Sequence, residues 1–251
     1  MRELLSIACE ELKATVLDPM RVRNLFNKQR RKAYYSWLKV RRRIGATWAE
    51  SREGDTFQQR VYRSYEDYLM HQKDKVKRLD LNDYDVKFRT ALRERLENMD
   101  VDWPSKNVLC LAARIGTEVK AFLDVGAFAV GLDLNPGEEN KYVVFGDFHN
   151  IQFPDNSVDV VYTNSLDHVF ELGKVLGEVQ RVLRSEGCFI VEPAWGREEG
   201  PEPQYWESYS WAHIDDLVSH IEKHSFALRQ KTSIAVPHAS VQLCFTCAAS
   251  S

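Results

Sequence analysis

Asp167 and His168 stand side by side in the run Tyr162-Thr163-Asn164-Ser165-Leu166-Asp167-His168-Val169, directly after an apolar segment. An imidazole titrates near neutral pH, and a neighbouring carboxylate can orient it. The pair is therefore suited to taking a proton from an acceptor hydroxyl. A second carboxylate, Asp133, closes the apolar run Val130-Gly131-Leu132 and precedes Leu134-Asn135-Pro136. A carboxylate there can accept from two adjacent hydroxyls at once. A third, Asp147, follows Gly146 and leads into Phe148-His149-Asn150. His149, His213 and Glu192 are further polar candidates, of types that more often serve structure than chemistry. A divalent metal on Asp167 and another acid is the lesser alternative, because the sequence shows no dense set of ligands; no metal is expected.

Elements must bring these residues together. From about Val108 onward, short apolar runs alternate with helical patterns, the signature of a parallel α/β sheet. The strands expected are Val108–Leu111, Ala129–Asp133, Tyr142–Phe145, Val158–Thr163 and Cys188–Glu192. Leu172, Val175, Leu176, Val179, Val182 and Leu183 follow helical spacing between the last two. A helix near Ile214–His224 and two β-like runs, Phe226–Ile234 and Val241–Cys247, complete the chain. The runs are joined near Pro237 and predict a hairpin at the sheet edge. The expected fold is thus α/β, a Rossmann-like, doubly wound, seven-stranded sheet with a C-terminal antiparallel hairpin. Residues 1–104 read instead as a helical N-terminal region that lids the site or binds substrate or partner. Within it, Phe57, Val61, Tyr65, Tyr68 and Leu69 fall near helical spacing over Thr56 to Met99. Asp102-Trp103-Pro104-Ser105 breaks the pattern and marks the boundary with residues 105–251.

Composition is that of a globular chain: 251 residues, 44% hydrophobic, 28% charged, with net charge −3, which argues against wholesale nucleic-acid binding. The charge is uneven. Arg21 to Arg43 carries ten basic and no acidic residues, interleaved with Phe26, Tyr34, Tyr35 and Trp37. Such a segment suits a phosphate-bearing partner, nucleic acid or peripheral contact with an anionic membrane, and equally a solvated helix face. No signal-peptide core or bilayer-spanning run is present, so cytoplasmic residence is expected. The five cysteines are scattered and odd in number, against a disulfide framework. Cys244 and Cys247 lie three apart in a strand-like run, where they would point to opposite faces and serve packing.

Val108-Leu109-Cys110-Leu111-Ala112-Ala113-Arg114-Ile115-Gly116-Thr117-Glu118-Val119 resembles the first motif of class I S-adenosylmethionine-dependent methyltransferases: a strand, a tight turn and a helix start. Ala112 and Arg114 stand where the family usually has glycine, and Cys110 where it often has an acid. Asp133 matches the acid ending the family's second strand, about twenty residues beyond the first turn, as in a βαβ unit. Gly146-Asp147-Phe148 through Val161 resembles the third and fourth motifs, and Glu178 to Cys188 the fifth helix and its turn. The resemblance implies S-adenosyl-L-methionine as cofactor. It implies Ala112, Ala113, Arg114, Gly116, Asp133, Leu134, Asp147, Phe148 and Asn164 as binding residues, Asp133 to the ribose and Asp147 to the adenine amino group. Asn164 to His168 would then face the methyl group, with His168 and Asp167 catalytic.

Tyr65-Glu66-Asp67-Tyr68-Leu69-Met70-His71-Gln72-Lys73 resembles methyltransferases of glycan modification. It suggests O-methylation of a saccharide or glycan, a phosphate-bearing carrier included. The competing readings are RNA methylation through Arg21–Arg43 and a non-catalytic cofactor-binding or interaction module. A Rossmann dehydrogenase fits less well, since the first motif lacks its glycines.

Overall fold

The computed structural model describes residues 47–75, 82–236 and 238–247. The basic segment Arg21–Arg43 and the turn residue Pro237 lie outside them. In chain order the described elements are β1 (Trp48–Ser51), β2 (Gly54–Arg60), α1 (Tyr65–Lys75), α2 (Asn82–Glu97), β3 (Asn107–Leu111), α3 (Thr117–Asp124), β4 (Phe128–Asp133) and β5 (Val143–Phe145). There follow β6 (Val158–Thr163), α4 (Leu172–Val182), β7 (Leu183–Val191), β8 (Tyr209–Trp211), α5 (Ile214–Lys223), β9 (Phe226–Ile234) and β10 (Ser240–Cys247).

The main sheet has seven strands in the order β5-β4-β3-β6-β7-β10-β9. The five from β5 to β7 run parallel, whereas β10 is antiparallel to both β7 and β9. This is the expected α/β architecture, edge hairpin included. Because β3 lies between β4 and β6, the turn after β3 and the ends of both neighbours open on one edge, where ligands bind in such sheets.

Each face of the sheet carries its own core. On one side Leu172, Val175, Leu176, Val179 and Val182 of α4 are fully buried with Leu109, Val161 and Phe189. On the other, Phe88, Leu92 and Leu96 of α2 pack with Phe122, Val108 and Tyr162. Glycine is obligatory where β4 runs closest to its neighbours: a Cβ on Gly131 would sit 2.7 Å from Ala113 Cβ and 2.8 Å from Val143 Cγ2.

The helical reading of Thr56 to Met99 needs correction at its start. Gly54, at φ 124°, turns the chain tightly from β1 into β2, and β2 then pairs with β8, Phe57 opposite Trp211. Phe57 thus faces the main core, Val61 is 46% exposed, and helix begins only at Tyr65. There Ser64 Oγ accepts the Asp67 N–H at 3.3 Å, a helix-starting bond. Nor does the chain divide at Trp103. That residue is 4% exposed and its indole N–H donates to Leu96 O at 2.8 Å, and Ala46 onward forms a single unit. Among the described residues no helix is long and apolar enough to cross a membrane.

Candidate active site

The turn after β3, the ends of β4 and β6, and α1 enclose a cleft of about 450 Å³ lined by Gln72, Ala112, Arg114, Asp133, Leu134, Phe148, Ser165 and His168. Six of these are residues that the sequence marks. Ala113, Gly116, Asp147 and Asn164 stand outside the lining, as does Asp167.

Asp133 organises the turn. Its Oδ2 accepts the Arg114 N–H at 2.9 Å and its Oδ1 the Asn135 N–H at 2.7 Å. An ionised carboxylate has about four acceptor positions, so one group can serve several donors. The turn itself needs left-handed backbone: φ is 53° at Ala112, 48° at Arg114 and 82° at Gly116. Only the last is glycine, and for the other two the conformation costs about 1–2 kcal/mol each.

The Arg114 side chain folds back from the turn. Its Nη2 donates to Tyr84 Oη at 2.7 Å and to Glu118 Oε1 at 3.1 Å, and the guanidinium lies 4.8 Å from the Tyr84 ring centre. Burial pulls the Arg114 pKa down, but Glu118 and Tyr84 together more than reverse this. Burial also raises Glu118, against the pull of Arg114. Asn164 Nδ2 donates to the same Glu118 oxygen at 3.2 Å, so Asn164 braces this network.

Asp147 is held by two neighbours. Tyr65 donates its phenol to Oδ2, and the His149 backbone N–H and Nδ1 each lie 2.9 Å from Oδ1. Burial works to raise this carboxyl, yet the bonds from His149 and Tyr65 hold it below the usual range. His149 Nε2 accepts the Phe170 and Glu171 N–H groups at 3.0 and 3.2 Å. The proton therefore sits on Nδ1, and this histidine is structural. Glu192 is likewise occupied by Arg95, Tyr162 and Gln242. His213 precedes α5, its N–H donating to Asp216 at 2.9 Å.

His168 Nδ1 lies 2.9 Å from Trp206 O. A carbonyl only accepts, so Nδ1 carries a proton and donates it there. Nε2 is 3.6 Å from Asp167 Oδ2. Trp206, which no sequence signal marked, thus fixes the ring, while Asp167 sits beside the other ring nitrogen. Tyr68 Oη donates to His168 O at 3.0 Å.

Asp167 opens on a second cleft, of about 430 Å³, whose lining includes Trp195, Arg197, Glu202, Glu207, Tyr209 and Trp211. The two clefts are lined by consecutive residues, the second by Asp167 and the first by His168. Asp167, His168 and Glu207 also bring one ligand atom each to within 4.8 Å of one another, so Glu207 is the second acid a metal would need. Gln72 was within reach of sequence reasoning, one helical turn beyond Tyr68. Ser165, Trp195 and Glu207 lie in or beside irregular segments and carry no periodic signal.

Residues 109–191 match the family model described as "Methyltransferase domain". The chain carries a methyltransferase domain. A sterol 4-C-methyltransferase of Caenorhabditis elegans is 34% identical over 104 residues, 35% of this chain and 31% of that protein. The chain thus spans about a third of the length of the curated relative it matches. The methyltransferase domain shares its fold with a Pyrococcus horikoshii protein (TM-score 0.56, 21% identity, 70% of this chain and 99% of the other). It also resembles an S-adenosylmethionine-dependent methyltransferase of Aquifex aeolicus (TM-score 0.55, 18% identity, 70% and 98%). The fold is that of the S-adenosylmethionine-dependent methyltransferases.

Proposed function

We propose that the protein binds S-adenosylmethionine in the cleft beside Asp133 and transfers its methyl group to a saccharide hydroxyl held in the cleft beside Asp167. The observation that carries this reading is that consecutive residues, His168 and Asp167, line the two clefts. The first cleft suits an adenosine: the Asp133 carboxylate lines it at the end of β4, within reach of ribose hydroxyls as donors, and Leu134 and Phe148 supply apolar walls. The folded-back Arg114 answers the doubt raised by its place in the turn, because its guanidinium is bound to Tyr84 and Glu118. Asp147 would meet the adenine amino group only by sharing a carboxylate that Tyr65 and His149 already use.

The bound cofactor supplies a methyl group already activated by its sulfonium. The chain's tasks are to align the acceptor, exclude water and take the hydroxyl proton. His168 Nε2 takes that proton. The Nδ1–H bond to Trp206 keeps the ring aimed, and Asp167 stabilises the imidazolium that results.

The acceptor cleft favours a polyhydroxylated ring. Trp195 offers flat apolar surface over the buried rings of Tyr209 and Trp211, while Asp167, Arg197, Glu202 and Glu207 offer hydrogen bonds. Against a sterol skeleton the same charges would lose water without gaining partners, which is costly. The sterol relative matches only about a third of this chain. Residues 47–75 and 82–104 then support both clefts, lining the cofactor side through Gln72 and backing the acceptor side through the β2–β8 pairing. A divalent cation on Asp167, His168 and Glu207 is the second reading, favoured by the convergence of their ligand atoms.

The test is transfer of labelled methyl from S-adenosylmethionine to saccharide, sterol and RNA acceptors. Labelling of saccharide is expected; labelling of sterol or RNA alone would overturn the acceptor assignment. On the accepted substrate, His168→Gln should lower turnover by about 10²–10⁴-fold with cofactor affinity unchanged. Undiminished turnover removes the base role. Loss of turnover on chelation, restored by Mn²⁺, would favour the cation reading.

A further inference from the structure

Cys188 lies on β7 and Cys244 on β10, the antiparallel neighbour that carries the edge hairpin. The register sets Cys244 opposite Ile190 and Cys188 opposite Thr246, so the two cysteines are diagonal neighbours. Residues 188 and 190 share a face of their strand, which puts both thiols on the same side of the sheet. Their sulfurs are 2.7 Å apart, closer than two non-bonded sulfur atoms rest. Neither is deeply shielded: both side chains are only partly buried. The neighbouring Cys247 instead points its sulfur toward Arg184 O, at 3.8 Å, after a β-bulge between Cys244 and Phe245. The packing role expected for Cys244 is therefore incomplete. Its thiol has a specific partner, found on another strand and not in its own CxxC.

We propose that Cys188 and Cys244 are a dithiol–disulfide site, closed by exchange with a low-molecular-weight disulfide such as oxidised glutathione. Either thiol can donate to the other; with Cys188 as donor, the bond lowers the pKa of Cys244 and raises that of Cys188. Cys244 is thus the group that reaches the nucleophilic thiolate first. It attacks one sulfur of the small disulfide, forms a mixed disulfide and expels one thiolate. Cys188 loses its proton to that thiolate and attacks the Cys244 sulfur, expelling the second thiol. Two protein thiols lose two electrons and two protons, and one small disulfide becomes two thiols. The new bond ties β10 covalently to β7, adding a constraint to the loop between positions 188 and 244.

The experiment uses the full-length protein, folded, incubated with oxidised glutathione, alkylated with iodoacetamide without reductant, and digested for mass spectrometry. The expected result is a linked Cys188–Cys244 peptide pair, loss of alkylation at both positions, and a melting temperature several degrees above that of the reduced protein. Cys188→Ser, checked for folding by circular dichroism, should retain glutathione on Cys244 and show no such rise. Three results would each overturn the proposal: full alkylation of both cysteines in the treated wild type, stable separate glutathione adducts on them, or a bond from Cys244 to Cys247.

Discussion

Asp147 sits between the Tyr65 phenol and His149, and those bonds hold its carboxyl below the ordinary range against the opposing effect of burial. A carboxyl of depressed native pKa stabilises the fold above its unfolded value, about 3.9. That contribution is lost as pH falls through the lower native value. Asp147→Asn should therefore cost about 1–3 kcal/mol at neutral pH, with the difference from wild type closing in acid. Urea denaturation across pH 2–7 checks this, and a constant difference would mean that ionised Asp147 is not the source. Asp133 acts differently, since it holds the turn and faces the proposed cofactor. Asp133→Ala should weaken S-adenosylmethionine binding by about 1–3 kcal/mol in calorimetry; unchanged affinity would remove it from the site.

Among elements, the strand-turn-helix unit from β3 to α3 shows how a departure from the family pattern is accommodated. Arg114 takes a left-handed position in the turn, and its guanidinium is braced by Tyr84 of α2 and Glu118 of α3. Removing one member of a buried pair leaves the other charge uncompensated, which is more damaging than losing both. Glu118→Gln should destabilise the protein by about 3 kcal/mol and loosen the turn that Asp133 holds. Chemical denaturation gives the stability, and calorimetry should show a parallel weakening of cofactor binding. A stable variant with normal affinity would show that the network does not support the turn.

For the whole molecule, the small β1-β2-β8 sheet and the seven-stranded sheet share a core through Phe57, Tyr209 and Trp211. Phe57→Ala should cost about 3–5 kcal/mol in a single cooperative transition. A separate early transition would show that the small sheet folds on its own. The alternating apolar runs after Val108 determined the sheet, because period and burial coincide in parallel strands, and Asp133 was legible because it closes one of them. Phe57, Val61 and Tyr65 matched a helical period only by coincidence, and Gly54 together with a strand about 150 residues away decided otherwise. Trp206, Glu207 and the Cys188–Cys244 contact were likewise settled by tertiary structure. Each joins residues distant in the chain, and neither periodicity nor local spacing records which distant backbone carbonyl, carboxylate or thiol a side chain will meet.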